Sequence, residues 1–508
     1  MAFTTTLLSM AMTDTIWLLA VSLTIATVLR SFGVVVYRIF FHPLAKIPGP
    51  LFGRATFLYS FWYNMRGGRM YLQIQKLHEQ YGPVVRITPN EIHLSDPDEC
   101  DKIYQVGSRY GKDANFYSAF GTDKSTFTTP SPELHRIKRS ALNPFFSRKR
   151  VLDLEEVVQQ AASKLTKRIR EALQSMGRID LHHGFRAISI DVITDYAFDQ
   201  CYNFLDDENF GAKFFNMMRD LGPAFWFLQQ FPWMQPIALK MPYWLARLLN
   251  KSLTRRILHR QAAGRHVQGV KDAVDRNDKV SRMTIFHQLL SPDAADGHVV
   301  PTVEELTDEA YIILAAAADT TGNALTIAAY NVVRNPIIYG QLTTELKEAF
   351  PEPGAAMNFL VLEKLPYLTA VIKEALRLSF GVVGRLPRVV PEAGAEFGGY
   401  KVPAGTVVSM SPWTMHHNEQ LYPNPEKFDP SRWIRSDESQ ALEKYLFAFG
   451  KGSRQLAYCE LYTTLGYVFR EFDDLKIAQK SREELLYNDY FSSYHPEKNN
   501  RFIFERAT

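Results

Sequence analysis

The sequence predicts a mainly α fold with minor β structure behind an N-terminal membrane helix, on three observations. Long stretches space their apolar residues at three and four, strand-like runs are few and short, and one early apolar run is long enough to cross a bilayer.

That run, Ile16 to Val36, is interrupted mainly by Arg30. Residues 1–15 hold no Lys or Arg, whereas Arg30, Arg38 and Lys46 come late or after the run. This is the reverse of a cleaved signal peptide, and it places the body on the cytosolic side. Phe41 to Pro50 comes next, a segment whose prolines fix φ and deny backbone donors, so a stiff extended connector is expected. No Ser/Gly linker, repeat or charge block divides the rest of the chain, so residues 1–40 read as an anchor and 41–508 as one domain.

Helical periodicity marks Leu152 to Leu173, Leu248 to Val274, Val303 to Asn335 and Pro366 to Leu378. Gly82 to Thr88 reads as a strand. Ala395 to Met410 reads as a small hairpin region, with turn signals at Gly398-Gly399 and Pro403-Ala404-Gly405.

Lys+Arg 58 against Asp+Glu 54 leaves a net charge of +4, too balanced for a nucleic-acid partner, which needs a concentrated basic face. The richest basic stretch, Arg255 to Lys271, reads as a solvated helix face, with docking to a membrane or an acidic partner as the alternative. Cys100, Cys201 and Cys459 are widely spaced and odd in number, which argues against a disulfide framework or zinc site and suits a reducing compartment. His182-His183 and His416-His417 read as structural or surface pairs, because adjacent side chains diverge. Asp206-Asp207-Glu208 lacks a calcium-loop pattern and reads as a solvated loop.

Several segments carry chemistry. Thr302 and Glu305 have capping-box spacing and open the strongest helix. Inside it Ala315 to Ala318 thin the helix so that a flat ligand can approach its backbone, beside an acid and an alcohol, Asp319 and Thr320, able to relay a proton. Glu374 and Arg377 share a helix face. Arg385-Leu386-Pro387-Arg388, then Tyr422 to Trp433, then Phe447-Ala448-Phe449-Gly450-Lys451-Gly452-Ser453-Arg454 lie downstream.

In that order these segments resemble the cytochrome P-450 family, from the anchor to near the C-terminus. Phe41 to Pro50 and His135 to Ser147 are similar to its fungal microsomal members, and the overall motif style resembles trichodiene-oxygenase-like proteins of fungal secondary metabolism. The resemblance implies a haem-thiolate monooxygenase at the endoplasmic reticulum membrane. It would oxidise a hydrophobic small molecule, terpenoid-like, with electrons from NADPH through cytochrome P-450 reductase. It implies that Glu374, Arg377 and Arg432 form a buried ion network beneath the haem. It further implies that Arg139, Arg388, Arg454 and His135 hold the propionates, and that Asp319 and Thr320 feed protons. Substrate contacts are implied for Phe116 to Thr122, Ala315, Ala316, Val382 and Val383. Ala317 replaces a glycine usual in the family, so a less distorted helix is expected.

One place departs from the pattern. The family's ligand cysteine comes two residues after the loop arginine, and here Leu456 occupies that place. Either the loop is enlarged and Cys459 is the iron ligand, or a short segment is missing between Gln455 and Leu456. The second alternative leaves Cys459 an ordinary helical residue. Tyr458, Leu461, Leu465, Phe469 and Phe472 continue one apolar stripe from the junction, and Glu460 opposes a thiolate, which favours that alternative. A haem-free binding or scaffold protein is the corresponding rival function.

Overall fold

The computed structural model describes residues 2–249, 251–279, 282–434, 436–451, 454–478, 487–495 and 502–506. Helix α1 (Ala2–Val36) takes up the apolar N-terminal run, and its side chains from Trp17 to Val34 are exposed. Two described helical stretches, Trp17–Phe41 and Val303–Arg334, are long and apolar enough to cross a bilayer. The second is 72% buried inside the body and the first 0%, so only the first has an apolar surface to give to lipid.

The connector is stiff for more reasons than its prolines. Strand β1 (Val84–Thr88) carries Arg86, whose N–H donates to the Pro48 carbonyl at 2.7 Å. A Cβ on Gly49 would lie 2.2 Å from the Arg86 carbonyl oxygen, so only glycine permits this approach. The fully buried Arg86 guanidinium donates to the carbonyls of Arg38 and Pro89, and Arg54 donates to those of Ile39 and Ala45. The end of the anchor is thereby hydrogen-bonded to the body.

A two-residue turn at Pro89-Asn90 returns β1 into β2 (Glu91–Leu94), a strand that the hydropathy pattern did not reveal. These two edge a five-stranded sheet with β3 (Gly111–Lys112), β4 (Arg388–Val389) and β7 (Val407–Ser409), in the order β1-β2-β7-β4-β3. Only β2 and β7 run parallel, with Ile92 opposite Val408. The expected hairpin is present as β5 (Ala395–Phe397) and β6 (Tyr400–Val402), turning at Gly398 and Gly399.

The helical body is built on α2 (Pro132–Leu142), α3 (Glu155–Met176), α4 (Gly184–Phe198), α5 (Lys251–Asp275), α6 (Val303–Arg334), α7 (Pro366–Ser379) and α8 (Gln455–Glu471). The periodic segments found in the sequence match α3, α5, α6 and α7 to within three residues at each end. The apolar faces of α3, α6 and α7, with those of α4 and α8, meet in the largest core, which includes Leu165, Phe185, Leu325, Leu376 and Leu465, while α5 buries Ala263 and Val267 in a second core. Near the C-terminus β8 (Asn488–Tyr490) and β9 (Ser492–Tyr494) form a hairpin whose tip, Phe491, has φ +73°. An isolated antiparallel bridge joins Ser492, next to that tip, to Val382.

The basic stretch is not one solvated face. Arg256 donates to the Phe120 carbonyl, and Arg260 donates to the Gly121 carbonyl and pairs with Asp308, so two of its arginines turn inward. His182 stacks on Phe502 and His183 on Phe215, and the exposed Asp206 pairs with Lys164.

Candidate functional site

Helix α6 is capped as its sequence requires. Thr302 Oγ1 accepts from the Glu305 N–H at 3.3 Å, and Glu305 Oε2 accepts from the Thr302 N–H at 2.9 Å. It runs unbroken through Ala317. Between Leu306 and Val333, Ala316 alone is exposed, flanked by the half-exposed Ala315, Ala317 and Thr320. The alanine strip therefore opens onto an interior recess. Behind it α4 lies against the helix backbone: a Cβ on Gly322 would sit 2.8 Å from Arg186 Cα and from the Phe185 carbonyl oxygen. Gly381 lies directly against Thr320, where a Cβ would stand 3.4 Å from Thr320 Cγ2.

Thr320 and Asp319 part company here. Thr320 borders the recess, its hydroxyl donating to the Ala316 carbonyl at 3.0 Å. Asp319 is 5% exposed and turned toward α4, where its Oδ1 accepts from Arg186 Nε at 2.9 Å. Arg186 is itself buried and donates to the His182 carbonyl at 2.8 Å. Burial, then the Asp319 carboxylate beside it, holds the Tyr494 phenol well above its usual range. The acid of the expected pair is thus engaged in an ion pair behind the recess.

At one end of the recess basic groups converge. Lys112 of β3 stands directly opposite Arg388 of β4, and Arg139 and His135 project from α2. Arg388 donates to the Tyr117 hydroxyl at 2.9 Å, and Lys112 to the Phe127 carbonyl. Burial, reinforced by Lys112, Arg388 and Arg139, pushes His135 down to about 4. Burial and Arg388 push Lys112 down to about 7, against the opposing pull of Glu309 on α6. Arg139, Arg388 and His135 were legible from motif order. Lys112 was not, because its place depends on a two-residue strand that hydropathy cannot reveal. Arg454 is exposed, its guanidinium 5.8 Å from the Tyr458 ring centroid, and among the described residues it joins none of the interactions of this group.

Glu374, Arg377 and Arg432 do come together. Arg377 makes a two-pronged pair with Glu374 at 2.8 and 3.0 Å, both fully buried, and Arg432 Nε reaches the same carboxylate at 3.1 Å. Trp433 Nε1 and the Asp429 N–H donate to it as well, at 2.9 Å each. His416 extends the network. Its Nε2 accepts from the Phe447 N–H at 2.9 Å, so its Nδ1 donates to the Arg377 carbonyl at 2.8 Å. This fixes the start of the segment that leads to Arg454.

Cys459 lies in the first half of α8 and is 0% exposed. Burial, then Glu460 and Glu155, pushes its thiol up to about 12. It belongs to the core shared with Leu461 and Leu465. Leu456 packs between that core and the one that contains Leu142 and Ala318.

The sequence profile of the cytochrome P-450 family matches residues 47–504. The chain is 38% identical to a cytochrome P-450 monooxygenase of Ascocoryne sarcoides, over 90% of this chain and 93% of that one. This chain belongs to the cytochrome P-450 family. It is also 34% identical to the conidiogenone synthase of Penicillium rubens, over 87% and 89% of the two chains. With the tryptophan 6-hydroxylase of Fusarium equiseti the identity is 32%, over 91% and 92%.

Haem, which the family implies, makes two demands on this cytochrome P-450. Its carboxylates need cations, and Lys112, Arg139 and Arg388 with His135 supply donors of the right charge at the edge of the recess. Its iron would need a thiolate, and no described cysteine is placed to supply one. Cys459 has no exposed surface and sits beside a carboxylate, both of which oppose thiolate formation. Cys100 is buried in the sheet core, and Cys201 accepts from the Asn203 N–H at 3.4 Å. The expectation that Cys459 ligates iron therefore finds no support in its placement. The residues present fit the edge of the macrocycle and not its metal.

The implied substrate wall is in place only in part. Val382 is half-exposed, whereas Val383 turns away into a core with Tyr71, Phe380 and Tyr487. Phe116 and Tyr117 are buried, leaving Phe120, Phe127 and Phe491 as the more accessible rings of that cluster, with centroids 4.8–5.6 Å apart.

Proposed function

We propose that this cytochrome P-450 carries the pocket of a monooxygenase that oxidises a hydrophobic small molecule, terpenoid-like in its secondary-metabolite character. Dioxygen and electrons passed from NADPH by cytochrome P-450 reductase complete the reaction. One observation carries the reading: between Leu314 and Tyr330, α6 leaves only Ala315, Ala316, Ala317 and Thr320 accessible, cations gather around Glu309 of the same helix, and an aromatic cluster keeps Phe120, Phe127 and Phe491 partly exposed. Apolar walls select a hydrophobic substrate, and the Thr320 hydroxyl is the polar group α6 presents beside it.

In this reading residues 1–40 anchor the domain 41–508 in the endoplasmic reticulum membrane. Exposed Leu51, Phe52 and Trp62 beside the anchor, and Trp233, Ile237 and Trp244 beyond them, support a second apolar footing on the bilayer. The Phe61 and Phe231 rings, 5.8 Å apart, join the two patches.

The placement of Cys459 favours a second reading: a short ligand segment is missing after Gln455, and the chain keeps the pocket as a binding protein without oxygen chemistry. Membranes containing the full chain, reductase and NADPH separate the two when incubated with hydrophobic terpenoids. An oxygenated product formed only with NADPH supports the monooxygenase. Saturable substrate binding without any product supports the binding protein.

A further inference from the structure

The cation group at the edge of the recess is unbalanced in a way the fold alone does not explain. Lys112 and Arg388 are direct cross-strand partners in an antiparallel ladder, and like charges so placed destabilise a sheet. Arg139 adds a third charge to the same group, and the carboxylate set against them, Glu309, already accepts from the Thr126 N–H at 2.7 Å. A ligand carrying two negative charges would relieve this repulsion.

The rest of the recess gives that ligand its shape. Glu309, Ala316 and Thr320 lie on one face of α6, with spacings of seven and four residues. At the helical rise, Ala316 is ~10 Å and Thr320 ~17 Å along from the cationic end. From Ala315 to Ala318 the side chains are small, and Ile313 stands between them and Glu309 on the same face, so the complement is flat and apolar beside the alanines, with its acids toward the cationic end. Among the described residues no cysteine is placed to serve as a metal donor on the opposite side. Leu456 stands at the place of the family's cysteine, and Cys459 is enclosed in the α8 core.

We propose that this chain binds porphyrin-type dicarboxylates through Lys112, Arg139, Arg388 and the α6 alanine strip, and that iron contributes nothing to their affinity. The proposal rests on the pocket of the proposed monooxygenase but not on its oxygen chemistry.

The test is titration of the full detergent-solubilised chain with iron protoporphyrin IX and with metal-free protoporphyrin IX, monitored by tryptophan fluorescence quenching. Both are expected to bind with dissociation constants within threefold of each other, and Cys459→Ala is expected to change neither. Arg388→Gln and Lys112→Met should each weaken both ligands by roughly tenfold, the loss of one charge-assisted contact, while the circular dichroism stays native. An iron complex held more than tenfold tighter than the metal-free ring, with that advantage lost in Cys459→Ala, overturns the proposal and leaves the pocket intact. A strongly red-shifted Soret band of the reduced, carbon-monoxide-treated complex does the same. Metal-free binding that ignores both cation variants also overturns it. If neither macrocycle binds, the pocket reading itself fails and this inference falls with it.

Discussion

At the scale of single residues, the geometry separates side chains that the sequence treats alike. Arg377 and Glu374 are a common surface spacing, yet here both are fully buried, and Arg377→Met would strand the carboxylate amid Arg432, Trp433 and the Asp429 N–H. Breaking such a pair is expected to cost about 3–5 kcal/mol in urea unfolding, and a loss below about 1 kcal/mol would refute the network's structural role. Asp319 and Thr320 are adjacent but diverge. Asp319→Asn removes the countercharge of the buried Arg186 and should cost about 1.5–3 kcal/mol. Thr320→Val gives up only a bond to its own helix and should stay within about 0.5 kcal/mol of the parent. Equal losses in the two variants would mean that Asp319 is not paired with Arg186 in the folded chain. The motif residues were legible because their neighbours in sequence name them. Arg186 was not, since its partner lies 133 residues away and nothing local marks the pair.

At the scale of elements, periodicity located α3, α5, α6 and α7 because each buries one stripe, and the capping box fixed where α6 begins. Short strands escaped it: β3 and β4 have two residues each, and their pairing, which sets Lys112 against Arg388, arises only in the assembled sheet. Helix packing also reverses an ordinary substitution rule. Replacing glycine by alanine inside a helix normally gains roughly 0.5–1 kcal/mol, and Gly340, with nothing within 4 Å of its missing Cβ, should obey that rule. Gly322 should break it. Its added methyl would press the backbone of α4 from 2.8 Å, so Gly322→Ala is expected to lose about 1–3 kcal/mol as α4 and α6 separate. Thermal unfolding of the two variants decides the matter, and a gain at both positions would show that α4 and α6 are not in backbone contact at Gly322.

At the scale of the whole molecule, buried ionisable groups of opposite sign set a pH window for stability. Burial pushes His78, His135 and His417 down to about 4, His183 and His416 to about 3, and His93 and His182 well below their usual 6.5. Between pH 4 and 6.5 the unfolded chain therefore binds more protons at these sites, and stability rises with pH. Burial acts in the other direction on Glu460, raised to about 8, and Asp489, raised to about 7. Their neutral forms stabilise the fold below the unfolded carboxylate range, and that contribution is lost as pH climbs through 7 and 8. Asp113, raised to about 6 chiefly by burial, loses its share earlier. Lys112, lowered to about 7, destabilises the fold at acid pH and relaxes above 7, which offsets part of the carboxylate loss. The histidines outnumber the carboxylates, so the melting temperature should climb steeply from pH 4.5 to about 6.5, fall shallowly to 7 and then level. Glu460→Gln cannot ionise, and it should remove much of the decline above 6.5 and steepen the rise between 4.5 and 6.5, because Glu460 opposes that rise wherever it is neutral in the fold and ionised in the unfolded chain. A parent profile that keeps rising to pH 8, or a Glu460→Gln profile that superimposes on it, would mean that Glu460 is ionised in the native core at neutral pH.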